Sequence, residues 1–291
     1  MNSKSGFISV GKVVAPLCTI MMMAGLLLSP ASANAQNIML SDGGSTATIN
    51  PGLANGGSGT LGMNNWSVLA GQNQLNQQWF WYSINGNTAA SIDAIGGFTQ
   101  TPNGLNDVLL TYANSQLSVN IEYVLSGNGV SSGSADLQEY ISVVNNGGSQ
   151  INLNFYQYSN FNLLQNNQNT VSISGSPGGY TGAQQTTGGP GGSGLAEVID
   201  VPYANYAEAA LAGVTLSELG ASPYTLNDNT SAGPGDVSWA FQWTATLNPG
   251  EMLDITKDKG LSISIVPEPS TVALIVLGVT VLGLASRRQS S

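Results

Sequence analysis

The sequence predicts an all-β fold, an antiparallel β-sandwich, between an N-terminal signal helix and a C-terminal single transmembrane helix. Three observations lead there. Apolar residues of the long central part recur at every second position, the period of a strand with one buried face. Gly, Asn and Pro punctuate those runs at short intervals. Outside the two ends there is almost no helical pattern, and no fixed-period repeat points to a solenoid or propeller. The 291 residues divide accordingly into 1–35, 36–265 and 266–291.

At the N-terminus, Lys4 and Lys12 precede an apolar run from Val13 to Leu28, and Ala31-Ser32-Ala33-Asn34-Ala35 follows. This is the layout of a secretory signal peptide, 1–35. Ala33 and Ala35 frame the favoured cut, which leaves Gln36 first in the mature chain; Ala31 and Ala33 frame an alternative one. The partners implied are the general secretory machinery and signal peptidase. Cys18 follows Leu17 instead of a small residue, so the segment does not read as a lipoprotein signal.

Residues 36–265 read as one acidic, Asn/Gly-rich sandwich domain. The clearest alternation runs through Leu117, Val119, Ile121, Tyr123 and Leu125, with further strands at 137–144 and 151–158. Asn145-Asn146-Gly147-Gly148 joins those two as a hairpin, because such residues accept positive φ cheaply. Val237 to Leu247 forms a late strand ended by Asn248-Pro249-Gly250, and Leu261, Ile263 and Ile265 mark the last. Weaker strands are predicted at 47–50, 67–70, 79–84, 108–113, 171–174, 195–199 and 214–219. Residues 205–212 read as one or two helical turns, and the Gly-rich stretch 175–194 as a flexible loop.

Charge narrows the chemistry. Of 16 acidic residues only Glu268 falls outside the domain, and of 6 basic residues only Lys257 and Lys259 fall inside it. A body with 15 acids and 2 bases repels nucleic acid, so no nucleic-acid role is expected. The chain has no histidine, and its one cysteine lies in the signal segment. Ser-His-Asp and Cys-His machinery, the usual zinc and copper ligand sets and disulfide staples are therefore absent. No catalytic residue, cofactor or metal site is predicted.

Trp79-Phe80-Trp81-Tyr82 is the most conspicuous stretch. On a strand, Trp79 and Trp81 share one face and Phe80 and Tyr82 the other, which suits a central strand buried on both sides. The alternative leaves Trp79, Trp81 and Tyr82 as an open platform that stacks on sugar rings. The carboxylate groups, Asp136 with Glu139, Glu197 with Asp200, and Glu251, Asp254 and Asp258, read as solvated surface charge. Residues three apart on a strand point to opposite faces, so these pairs do not converge as a glycosidase dyad without a bend. Lys257 and Lys259 lie near enough in sequence to neutralise Glu251 and Asp254. The acidic, amide-rich Leu226 to Thr230 lacks EF-hand spacing and reads as an Asx-turn loop instead of a calcium site.

The C-terminal segment combines three features. Pro267 and Pro269 hold Val266-Pro267-Glu268-Pro269-Ser270 extended, the backbone form that a protease or transpeptidase groove accepts. Thr271 to Ala285 is apolar, and at about 1.5 Å per residue spans some 22 Å, short of the roughly 30 Å hydrocarbon core. Arg287 and Arg288 then act as a cytoplasmic stop-transfer pair under the positive-inside bias. This arrangement resembles the PEP-CTERM sorting signal of Gram-negative bacteria and cyanobacteria. The resemblance covers about the last 26 residues and implies recognition by an exosortase-type membrane enzyme, with cleavage near the motif. It implies an inner-membrane anchored precursor and transfer to the cell surface or extracellular polysaccharide. The function implied is a non-enzymatic structural or interaction role in an exopolysaccharide layer; the aromatic stretch puts a carbohydrate-binding module second, and the carboxylates put a carboxylate-dependent glycosidase third.

Overall fold

The computed structural model describes residues 37–52, 60–69, 72–188, 193–221 and 223–264. The predicted signal helix with Ala33 and Ala35, and the C-terminal helix with its Pro-Glu-Pro motif, lie outside these residues. Among the described residues no helix is long and apolar enough to cross a membrane.

Two antiparallel sheets form a sandwich. The first runs β1 (Ile38–Asp42), β2 (Ser45–Asn50), β3 (Gly62–Ser67), β4 (Leu75–Ile84), β10 (Ile151–Phe161), β16 (Val237–Leu247) and β14 (Tyr206–Leu211), with the short β5 (Ala90–Ser91) on β4. The second runs β15 (Ser231–Gly235), β11 (Asn169–Ser174), β12 (Gly182–Thr187), β13 (Gly194–Val201), β17 (Met252–Ser262), β9 (Ser134–Asn145), β8 (Leu117–Gly127), β7 (Asp107–Ala113) and β6 (Thr99–Pro102). The alternation read from the sequence sets which side chains face inward. Leu117, Val119, Ile121, Tyr123 and Leu125 of β8 are all buried, as are Ala135, Leu137, Ile141 and Val143 of β9. With no disulfide available, apolar burial holds the sheets together, at roughly 25 cal/mol per Å² removed from water.

Aromatic rings of the first sheet fill much of the space between layers and beneath the connections. Phe161 stacks on Trp239 at 5.7 Å and Phe80 on Phe155 at 5.5 Å. β4 pairs with β10 from Ile84 to Leu75, and β10 pairs with β16 on its other edge, which makes the WFWY stretch part of a central strand as its two-sided apolar pattern implies.

Local readings fail in four places. Residues 206–211 form strand β14, paired with β16, where one or two helical turns are expected. Val214–Leu219, expected as a strand, is instead the short helix α1. Its buried residues Thr215 and Leu219 lie four apart, a helical spacing that a strand would put on one face as well. Sheet pairing decides the first case and packing over the sheet the second. The Gly-rich stretch 175–194 contains β12, because Gln184 and Thr186 alternate with buried Ala183 and Gln185. The expected 67–70 strand lies earlier, as β3.

Candidate functional site

The described acidic and basic residues fall into an interior group and an exterior group, and strand alternation separates them. β17 pairs with β9 so that Lys257 stands opposite Glu139, and with β13 so that Lys259 stands opposite Glu197. All four side chains point between the sheets and are fully buried. Lys259 Nζ lies 2.8 Å from Glu139 and 3.2 Å from Glu197, while Lys257 Nζ contacts Glu139 and lies 3.2 Å from Glu197. The first sheet completes the shell. Trp239 Nε1 donates to Glu197 at 2.7 Å, Gln157 Nε2 donates to it at 3.2 Å, and Phe80 places its ring 5.5 Å from Lys257 Nζ.

This geometry explains the titration. Burial opposes ionisation of Glu197, but the Lys259 and Lys257 charges and the Trp239 and Gln157 hydrogen bonds outweigh it and hold the carboxyl at about 2. Burial, with the neighbouring Lys259 charge, holds Lys257 down at about 8 against the pull of Glu139 and Glu197. Glu139 and Glu197 are therefore not solvated surface charge, and the lysines do not neutralise Glu251 and Asp254. Proximity along the strand misleads, because Asp254 and Lys257 have opposite parity. A sequence signal exists: Glu139 sits in phase with Leu137 and Ile141, Glu197 with Leu195 and Ile199, and Lys257 with Ile255 and Leu261. The expected divergence within each pair does occur, since Asp136 and Asp200 face outward. The convergence is instead between carboxylates of different pairs, on two lysines. A sealed, neutralised quartet has no access for substrate.

The aromatic platform is also sealed. Trp79 and Phe80 are fully buried, Trp81 is 8 % exposed, and only Tyr82 is half-buried. Trp79 Nε1 donates to Ser91 Oγ at 2.8 Å, and Trp81 meets Tyr158 edge-on at 6.1 Å. Trp79 and Trp81 are thus corrected from platform to core, because Trp79 packs against Ser91 and Tyr112 and Trp81 against Tyr158.

A second carboxyl cluster lies under residues 213–227. Buried Glu208 of β14 accepts from Thr215 Oγ1 at 2.6 Å, Tyr224 OH at 2.8 Å and the Asn227 N–H at 3.3 Å. Glu218 of α1 joins it; burial and the Glu208 carboxyl raise Glu218 above the ordinary range. In the neighbouring loop, Asn227 Oδ1 accepts the Asn229 N–H at 2.9 Å, an Asx turn. Among the described residues no group of three or more His, Cys, Asp or Glu could hold a metal ion.

What stays open is the outer face of the second sheet. Leu109, Glu122, Tyr140 and Thr256 lie side by side across β7, β8, β9 and β17, and Thr111, Asn120, Ser142 and Asp254 form the adjacent row. A shallow depression of about 320 Å³ is lined by Leu109, Asn120, Glu122, Tyr140, Ser142 and Asp254, among others. Tyr140 is 42 % exposed. Neither its ring nor this row stands out in the sequence, since only the register across four strands brings it together.

Residues 266–289 match the PEP-CTERM protein-sorting motif. No curated protein sequence matches the chain. Among solved structures, a bacterial glucoamylase complexed with acarbose is similar over 84 % of this chain and 35 % of its own, with 9 % identity and a TM-score of 0.53. This chain thus spans about a third of that enzyme's length. A putative aldose 1-epimerase from Escherichia coli K12 is similar over 79 % of this chain and 99 % of its own, with 9 % identity and a TM-score of 0.46. At 9 % identity the likeness to the glucoamylase is one of fold.

Proposed function

We propose that this chain, whose residues 266–289 carry the PEP-CTERM protein-sorting motif, is an exported β-sandwich with a structural or interaction role in an exopolysaccharide layer. The motif is the observation that carries this reading. Residues 1–35 direct export and are removed, 36–265 form the delivered domain, and 266–291 hold the precursor in the inner membrane. Val266 to Ser270 present an extended handle to an exosortase-type enzyme, while Arg287 and Arg288 stay cytoplasmic. The body suits a hydrated matrix, since its solubility rests on Asn, Gln, Ser and Thr in place of mixed charges.

Intact-mass analysis of the native secreted protein tests this. A product beginning at Gln36 and ending before Arg287 is expected. A product retaining both arginines, together with unchanged destination after deletion of residues 267–269, would overturn it.

A carbohydrate-binding role is the second reading, now favoured by the Tyr140 depression in place of Trp79 and Trp81. A glycosidase is third. Glu208 and Glu218 meet, but Glu208 is fully buried and already accepts three hydrogen bonds, so it anchors the segment above it. Release of reducing ends from matrix glycans would bring the enzyme forward.

A further inference from the structure

Both basic residues of the described body, Lys257 and Lys259, are fully buried and face Glu139 and Glu197. Every accessible side-chain charge among the described residues is therefore a carboxylate. On the outer face of the second sheet these carboxylates surround an aromatic ring. Glu122 is the direct cross-strand neighbour of Tyr140 on β8, and Asp254 lies diagonally across on β17, two residues from Thr256, the partner of Tyr140 on that strand. Asp136 and Asp258 follow further along the same face, where burial, and then the nearby Asp136 charge, push Asp258 above the ordinary carboxylate range.

From this arrangement we propose that the Tyr140, Glu122 and Asp254 face is a docking surface for a glycan that carries free amino sugars. The proposal rests on the exopolysaccharide reading and names its partner class. A half-exposed tyrosine ring offers an apolar surface to the C–H face of a pyranose. Carboxylates on both sides of that ring match ammonium groups on the sugar, and such charge-assisted hydrogen bonds are stronger than neutral ones. A neutral sugar would offer Glu122 and Asp254 only hydroxyl donors, which are weaker partners for a carboxylate than an ammonium group. A polyuronate would meet a face of its own sign and be repelled. The depression is shallow and open along the strands, a shape that accepts an extended chain passing through.

The test uses the native secreted protein and three probes in titration: a fluorescent glucosamine hexamer, its fully N-acetylated counterpart and a polyuronate. The glucosamine hexamer is expected to bind, with the N-acetylated hexamer at least tenfold weaker and the polyuronate not detected. Tyr140→Ala and Asp254→Asn should each weaken binding at least fivefold. Asp228→Asn, which removes a charge from a loop beside the other sheet, should change it less than twofold. An unchanged near-UV spectrum identifies folded variants. Equal binding of the N-acetylated hexamer would overturn the ammonium requirement. Unchanged binding in Tyr140→Ala, or an equal loss in Asp228→Asn, would overturn the surface. Absence of binding to the glucosamine hexamer would sink this inference alone, because the processing reading stands or falls on the masses of the secreted product.

Discussion

Trp239 of one sheet donates its indole N–H at 2.7 Å to Glu197 of the other, so a fully buried indole is also a hydrogen-bond partner of the buried charges. Volume and polarity can be separated by substitution. Trp239→Ala should cost about 3 to 5 kcal/mol through the cavity it leaves. Trp239→Phe keeps much of the volume, and should cost about 1 to 3 kcal/mol because Glu197 loses a donor. Urea unfolding should rank the two in that order; equal losses would show that the ring volume adds nothing to the hydrogen bond, and an unchanged midpoint in Trp239→Phe that the hydrogen bond contributes nothing.

Removing one member of the quartet should be worse than its exposed equivalents. Glu197→Ala leaves Lys257 and Lys259 sharing Glu139 in a sealed interior, and should destabilise by about 3 to 5 kcal/mol. Glu251→Ala, at an exposed turn, should change stability far less. A melting temperature for Glu197→Ala close to that of Glu251→Ala would contradict the burial of the quartet.

The pH dependence follows in sign. Glu197 is held at about 2 when folded against an ordinary 4.5, so its contribution is fully present above the ordinary value. It should be lost as pH falls through that window, on the order of 3 kcal/mol in all. Lys257 is held down at about 8 against 10.5. The unfolded chain then binds more protons between those values, so this residue makes stability rise with pH there. Denaturant midpoints for the native protein should show the acid loss, and Glu197→Gln should flatten it.

Glu208 organises the segment over β14 by accepting from Thr215, Tyr224 and the Asn227 backbone. Glu208→Ala should leave those donors buried without acceptors, at about 1 to 3 kcal/mol for each one that water cannot reach. Amide exchange should accelerate across 213–227 more than in β8 or β9. Uniform acceleration would mean that the segment does not open separately.

Two glycines provide a backbone test. Gly97 has φ +54°, and a Cβ there would lie 1.9 Å from the Ala113 carbonyl oxygen, whereas Gly86 has φ +76° with nothing within 4 Å. Gly86→Ala should cost about 1 kcal/mol from positive φ alone. Gly97→Ala should cost more, because the β7 backbone must also move; thermal melts that place both variants together would refute that contact.

By itself the sequence determined the fold class, the inward phase of the long strands and the sorting signal, because each depends on local order along the chain. Period-two alternation in β8, β9 and β16 is readable without knowing any partner strand, and so is the spacing of Pro-Glu-Pro, apolar run and arginines. Strand versus helix at 206–211 and 214–219 was not readable, since both segments are short and sheet pairing or packing over the sheet outweighed their propensity. The fate of charge and ring was likewise tertiary. Lys257 and Asp254 lie three residues apart yet on opposite faces, and the register of β17 between β9 and β13 closed two lysines against Glu139 and Glu197. That same register left Tyr140 outside among carboxylates, while contacts with Ser91, Tyr112 and Tyr158 buried Trp79 and Trp81. Which groups remain for a partner therefore depends on contacts between residues far apart in sequence, which no local pattern encodes.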